Sequence, residues 1–155
     1  MSKPAKPAPV RFYVDADVLG LAKVLAEVRR DVTYPGDPGG TVKGGRIRPP
    51  CTVTDRAAPD EVWIPETARR RWLIITRDAA IQEHRAEIEA VRVSGARMIT
   101  LAGREAVDTF DQLEVLMCNW RRIERKLAES GPFIYTATRT GGLQPVPLGE
   151  APRQP

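Results

Sequence analysis

The chain has 155 residues, 42% of them hydrophobic and 28% charged, with 24 Lys+Arg against 20 Asp+Glu. That length sets one domain as the default and can bury a core without disulfide or metal staples; no run approaches the ~20 consecutive apolar residues of a membrane span. Two cysteines, Cys51 and Cys118, make no disulfide framework. No Cys/His pair has zinc-site spacing, and the basic, Pro-rich start lacks the apolar centre of a secretory signal, so a reduced, cytoplasmic protein is expected.

Residues 1–10 and 143–155 read as flexible tails, too poor in apolar surface to fold alone. The body, residues 11–142, opens with RFYV, a short apolar strand that stops at Asp15-Ala16-Asp17. Leu21, Val24, Leu25 and Val28 then recur at helical spacing over residues 18–30, with Asp17 where an N-cap belongs. A second short strand is predicted at residues 32–34. Residues 35–59 hold five Pro and five Gly, with Lys43, Arg46, Arg48 and Arg56 against Asp37 and Asp55. This reads either as a mobile basic flap or as a solvated insertion. Residues 60–71 are helical in composition but contain Pro65, which either kinks the helix or opens a second one.

WLIIT, residues 72–76, is a continuous apolar run typical of a strand buried on both faces, and it ends at Arg77-Asp78. A helix over residues 79–91, a strand at 97–101 and a long helix over 105–128 follow. Phe110, Leu113, Leu116, Trp120, Ile123 and Leu127 form the apolar stripe of that long helix, and Cys118, within it, is expected to be buried. Ser130-Gly131-Pro132 stops it, and FIYTAT, residues 133–138, reads as a last strand. The alternation β-α-β-loop-α-β-α-β-α-β predicts an α/β domain with a mostly parallel central sheet and helices on both faces.

In such sheets ligands bind beyond the carboxyl ends of the strands. Two strands here end in acid, at Asp15 and Asp78; Asp60 opens the helix before the second, and Asp17 lies two residues after Asp15. Asp17 also fits a plain N-cap, and Asp60 a first-turn acid. Gathered at one rim, these carboxylates are tolerable in ionised form only around a cation. With oxygen ligands alone, that cation is Mg²⁺ or Mn²⁺. A divalent metal beside Arg-rich surface suits phosphodiester hydrolysis. His84, the only histidine, supports no triad. Trp63 and Trp72 read as core, with base stacking as the other use of an exposed indole.

RFYVDADVLG, followed by PDEVWIPETARRRWLIITRDAAI, resembles the PIN-like nucleases, and within them the VapC-type toxin ribonucleases of a Mut7-C-like branch. The resemblance rests on a first strand ending in Asp, a helix with Asp60-Glu61 and, six residues on, Ala68-Arg69, and a strand ending in T-R-D, and covers residues 11–101. It implies a three-layer α/β/α sandwich and a metal-dependent endoribonuclease, the toxin of a toxin–antitoxin pair. Asp15, Asp60 and Asp78 would be the metal-binding acids, with Asp17 beside them, and Mg²⁺ or Mn²⁺ the cofactor. Because Pro65 interrupts the helix, Glu61 and Glu66 stay open as ligands. Arg77, Arg46 and Arg48 are the expected RNA phosphate contacts. A protein antitoxin and a homodimer are further implied partners, the helix from Glu105 adding interface to the latter. Two rivals remain: a haloacid-dehalogenase-like phosphatase using Asp15 as nucleophile and Asp17 as acid/base, and a non-catalytic RNA- or protein-binding module.

Overall fold

A computed structural model describes residues 6–42, 44–78 and 84–149, with the backbone alone of Asp78. The strands that position the rim are β1 (Phe12–Val14), β2 (Val32–Thr33) and, after a small hairpin β3 (Gly40–Val42) and β4 (Arg46–Arg48), β5 (Leu73–Asp78), β6 (Arg97–Ala102), β7 (Phe133–Thr138) and β8 (Gly142–Pro145). The helices are α1 (Leu19–Val28), α2 (Asp60–Arg69), α3 (Arg85–Ser94) and α4 (Thr109–Lys126), and a 3₁₀ turn, Ala16–Val18, precedes α1. The main sheet runs β2-β1-β5-β6-β7-β8, parallel except for the antiparallel edge strand β8.

The two-residue alternation of the strands sorts the core into two halves. Phe12, Val14, Leu73, Ile75, Ile99 and Leu101 pack under α1 and α4 with Leu21, Leu25, Leu116 and Trp120. Tyr13, Ile74, Met98 and Ile134 face the other way, against Trp63 and Ile64 of α2 and Val91 of α3. This is the expected three-layer α/β/α sandwich. Strand order reverses between β1 and β5, where one connection leads to β2 and the next returns to the opposite side, which makes their carboxyl ends the topological switch point.

Several expectations are corrected. The described residues of 35–59 are mostly exposed, as an insertion would be, but they hold the β3–β4 hairpin, and Cys51 and Val53 pack in the core half under α2. Both expected tails are partly recruited. Pro7 bridges Ile47 in parallel, and the residues from Leu143 form β8, behind which Val146 is buried. α2 runs unbroken through Pro65. The helix expected over 79–91 begins at Arg85, residues 79–83 lying outside those described. Phe110 and Cys118 are exposed, because the buried face of α4 is set by Gln112, Val115, Leu116, Asn119, Trp120 and Ile123. Among the described residues no helix is long and apolar enough to cross a membrane.

Candidate functional site

The switch point is where β1 and β5 release the chain. Val14 is in register with Ile75, and the Asp15 N–H donates to the Ile75 carbonyl at 2.9 Å, so Asp15 leaves the sheet beside Thr76. Its extended backbone opens the 3₁₀ turn, and its carboxyl caps nothing. That half-buried carboxyl is pushed up from 3.8 to about 7, first by burial and then by the Asp17 charge; the Ala16 N–H opposes the rise and the Asp60 charge adds to it. Loss of hydration and like charge both disfavour the anion.

Asp17 is not an N-cap. Its Oδ2 accepts from the Thr76 hydroxyl at 2.6 Å and from the Arg77 N–H at 3.1 Å, which ties the turn after β1 to the end of β5. Thr76→Val is expected to lower unfolding free energy by about 1 kcal/mol, the worth of one hydrogen bond to an exposed carboxylate, as read by urea denaturation.

Asp60 is the first residue of α2, after Pro59 as N-cap. Its Oδ1 accepts from the Trp63 indole N–H at 3.0 Å. Trp63 stacks on Tyr13, ring centroids 5.4 Å apart, and Tyr13 stacks in turn on Trp72 at 5.9 Å. Tyr13 precedes Asp15 by two residues, so a single aromatic column in the core joins the strand bearing one acid to the helix bearing the other. Burial, and after it the Asp15, Cys51 and Asp17 charges, drive the Tyr13 phenol far above its usual range. Trp63 and Trp72 are core, as expected, but the Trp63 hydrogen bond to Asp60 went unread; its signal was the Asp-x-x-Trp spacing on one helix face.

The backbone of Asp78 ends β5 in register with Ala102. Its side chain, like residues 79–83, lies outside the described set. Among the described residues no group of three or more His, Cys, Asp or Glu side chains is gathered closely enough to hold a metal ion. Of these acids, Asp15 feels the charges of both Asp17 and Asp60.

The other expected site residues are not drawn into this group. Glu66 accepts from Arg69, Arg70 and Thr52; against the upward pull of burial, these hydrogen bonds hold its carboxyl below the usual range. Glu61 is exposed on the first turn of α2. Arg48 is withdrawn as a phosphate contact because its guanidinium is buried in a bidentate pair with Asp37, at 2.7 and 3.1 Å. Arg46 is on the hairpin and donates to the Pro7 carbonyl at 3.4 Å. Arg77 stays at the rim: its Nη2 donates to the Gly103 carbonyl at 2.9 Å, and its Nε is buried without a hydrogen-bond partner among the described residues.

Compared with known proteins, residues 11–103 match the family model described as a PIN like domain, a span from just before β1 to just after β6 that includes every acid of the rim. No curated protein and no solved structure matches the chain significantly.

Proposed function

The chain belongs to the PIN-like domain family, whose members are typically nucleases, and from that premise we propose that it is a metal-dependent endoribonuclease and the toxin of a toxin–antitoxin pair. The observation that carries this reading is Asp15: a carboxyl on the switch point, held up to about 7 by burial and by the Asp17 and Asp60 charges. A carboxylate so placed is stable as an anion only beside a cation, and the donors are all oxygen. The residues therefore fit Mg²⁺ or Mn²⁺. Asp15, Asp60 and Asp78 would hold it. Bound there, a divalent ion supplies charge neutralisation at a phosphate oxygen and acidifies water.

The chain's own residues do the rest. Asp17 keeps the turn after β1 locked onto β5, and Trp63 orients the Asp60 carboxylate through Oδ1. Arg77 ties the end of β5 to the loop after β6 and is the phosphate contact that remains at the rim. In the metal-free protein Asp15 carries a proton through much of the neutral range. Ion binding is therefore expected to release about one proton per ion near pH 6, falling towards none above about pH 8. Calorimetry in buffers of different ionisation enthalpy reads that number.

The deciding experiment is cleavage of RNA by purified protein with Mn²⁺, with and without chelator. Chelator-sensitive internal cleavage supports the proposal. RNA left intact at every metal concentration, with no heat of Mn²⁺ binding, sinks it and leaves a non-catalytic module. The toxin role rests on Asp60-Glu61, followed after six residues by Ala68-Arg69, and on Thr76-Arg77-Asp78. Its partner would be a protein antitoxin encoded by a neighbouring small reading frame in the same cytoplasm. Growth arrest on expression, relieved by co-expressing that frame, is the corresponding test.

A further inference from the structure

β5, β6 and β7 run parallel, so their amino ends lie on the side of the sheet away from the acidic rim. An open cavity of about 520 Å³ sits at those ends, beside Trp72, Ala96 and Leu127 and the side chains of Arg11, Arg71 and Arg97. Of the charged groups lining it, Arg11 already meets Asp31 at 2.8 Å, and Glu129 meets Lys126 at 2.8 Å. Arg97 meets no carboxylate among the described residues. It donates through Nη1 to the Leu127 carbonyl at 2.7 Å and through Nη2 to the Arg71 carbonyl at 2.8 Å. Carbonyls fix its direction but carry no full charge to match its own. Burial pulls its guanidinium below the ordinary value, and no acid offsets the pull.

Arg71 stands where helices usually place glycine. α2 closes with the Arg71 N–H donating to the Ala68 carbonyl at 3.1 Å and the Trp72 N–H to the Thr67 carbonyl at 3.0 Å. That closure takes a left-handed residue, most often Gly. α3 supplies Gly95, at φ 77°; α2 supplies Arg71, at φ 61°, the only non-glycine residue at positive φ among the described residues. A β-carbon is unfavourable in that conformation. Yet the Arg71 guanidinium makes no hydrogen bond or ion pair with a described residue that would offset it.

We propose that this cavity binds a phosphate monoester carried by a nucleoside, with Arg71 and Arg97 on the phosphate and the nucleoside against Trp72, Ala96 and Leu127. Two unmatched guanidinium groups suit a dianion, which a phosphate monoester is at neutral pH. Their planar donors fit phosphate oxygens in pairs. The volume lies in the range of small-ligand sites. The monoester belongs either to a free nucleotide or to the phosphorylated end of an RNA strand.

Calorimetric titration with AMP in chelator is the test, because the metal-free acidic rim repels the same anion. AMP is expected to bind, and adenosine, which lacks the phosphate, to bind at least about tenfold more weakly, the worth of a charge-assisted contact. Arg71→Gly is expected to weaken AMP by a similar factor while melting no lower than wild type, since glycine suits the left-handed closure. A purely structural Arg71 would shift melting and leave affinity alone. Displacement of AMP by a terminally phosphorylated RNA trinucleotide, and not by its unphosphorylated counterpart, assigns the monoester to an RNA end. AMP bound and displaced by neither assigns it to a free nucleotide. No heat with millimolar AMP, adenosine bound as tightly as AMP, displacement by both trinucleotides, or wild-type affinity in Arg71→Gly overturns the proposal. Binding alone is read, so the result is independent of whether the acidic rim cleaves RNA.

Discussion

Asp15→Asn is expected to abolish metal-dependent cleavage and, in chelator, to make the protein more stable than wild type above neutral pH. Even outer-shell partners of a metal ion are worth about 10–100-fold, so loss of a direct ligand should exceed a hundredfold in rate. The stability effect follows from the carboxyl's shift from 3.8 to about 7. Between those two values the folded chain holds a proton that the unfolded chain has released. The folded state therefore loses stability as pH rises through that window, keeps its full advantage below about pH 4, and levels off above about pH 7. Three units correspond to about 4 kcal/mol. Urea denaturation of metal-free wild type should accordingly show a fall of a few kcal/mol between pH 4 and pH 8. Asparagine, uncharged at every pH, should remove the part that Asp15 contributes. Saturating Mn²⁺ should remove the same slope from wild type, because the ion replaces the proton. A wild-type slope that survives unchanged in Asp15→Asn would show that the burden of charge lies elsewhere on the rim.

The parts of this site that were legible in the sequence are those written into strand ends. Within an alternation of strands and helices, a short apolar run such as RFYV or WLIIT reads as a buried strand, and an acid at its end falls at the rim, so Asp15 and the backbone position of Asp78 followed from pattern. α2 was legible as a helix in spite of Pro65. What was not legible were ties between residues far apart in the chain. Asp17 looked like a cap because caps are local; its donors, Thr76 and Arg77, are 59 and 60 residues away. Phe110 looked like core because it falls in register with a helical stripe, but the face that α4 buries is set by Gln112, Val115, Leu116, Asn119, Trp120 and Ile123, and Phe110 is exposed. The fixed part of the Pro/Gly-rich stretch was not legible for the same reason: it holds one buried ion pair, Asp37–Arg48, and nothing local marks which of its charges go inside.

That ion pair is where the second large effect is expected. Asp37 has a side chain with no exposed surface, and Arg48 meets it with Nε and Nη2, its own side chain 9% exposed. The same carboxylate accepts from the Thr33 hydroxyl at 3.0 Å and from the Gly39 N–H at 2.9 Å; Gly39 is left-handed, at φ 71°. Asp37 also donates its N–H to the Tyr34 carbonyl and accepts the Cys51 N–H on its own carbonyl, 2.9 Å away. One residue thus fastens the end of β2, the hairpin and the irregular segment leading to α2. Asp37→Asn keeps the shape and removes the charge, leaving a buried guanidinium without a counter-ion. The expected loss is about 3–5 kcal/mol, against less than about 1 kcal/mol for breaking an exposed pair such as Lys126–Glu129. Urea denaturation measures both. Limited proteolysis should cut the Asp37→Asn chain within residues 40–48 while wild type resists. Because the segment from Cys51 to Pro59 delivers Asp60 to the rim, Mn²⁺ affinity should weaken along with stability, by about tenfold as for other supports of a metal site. If Asp37→Asn unfolds within 1 kcal/mol of wild type, the carboxylate is not the fastening that orders this insertion, and the path from hairpin to acidic rim is carried by the backbone alone.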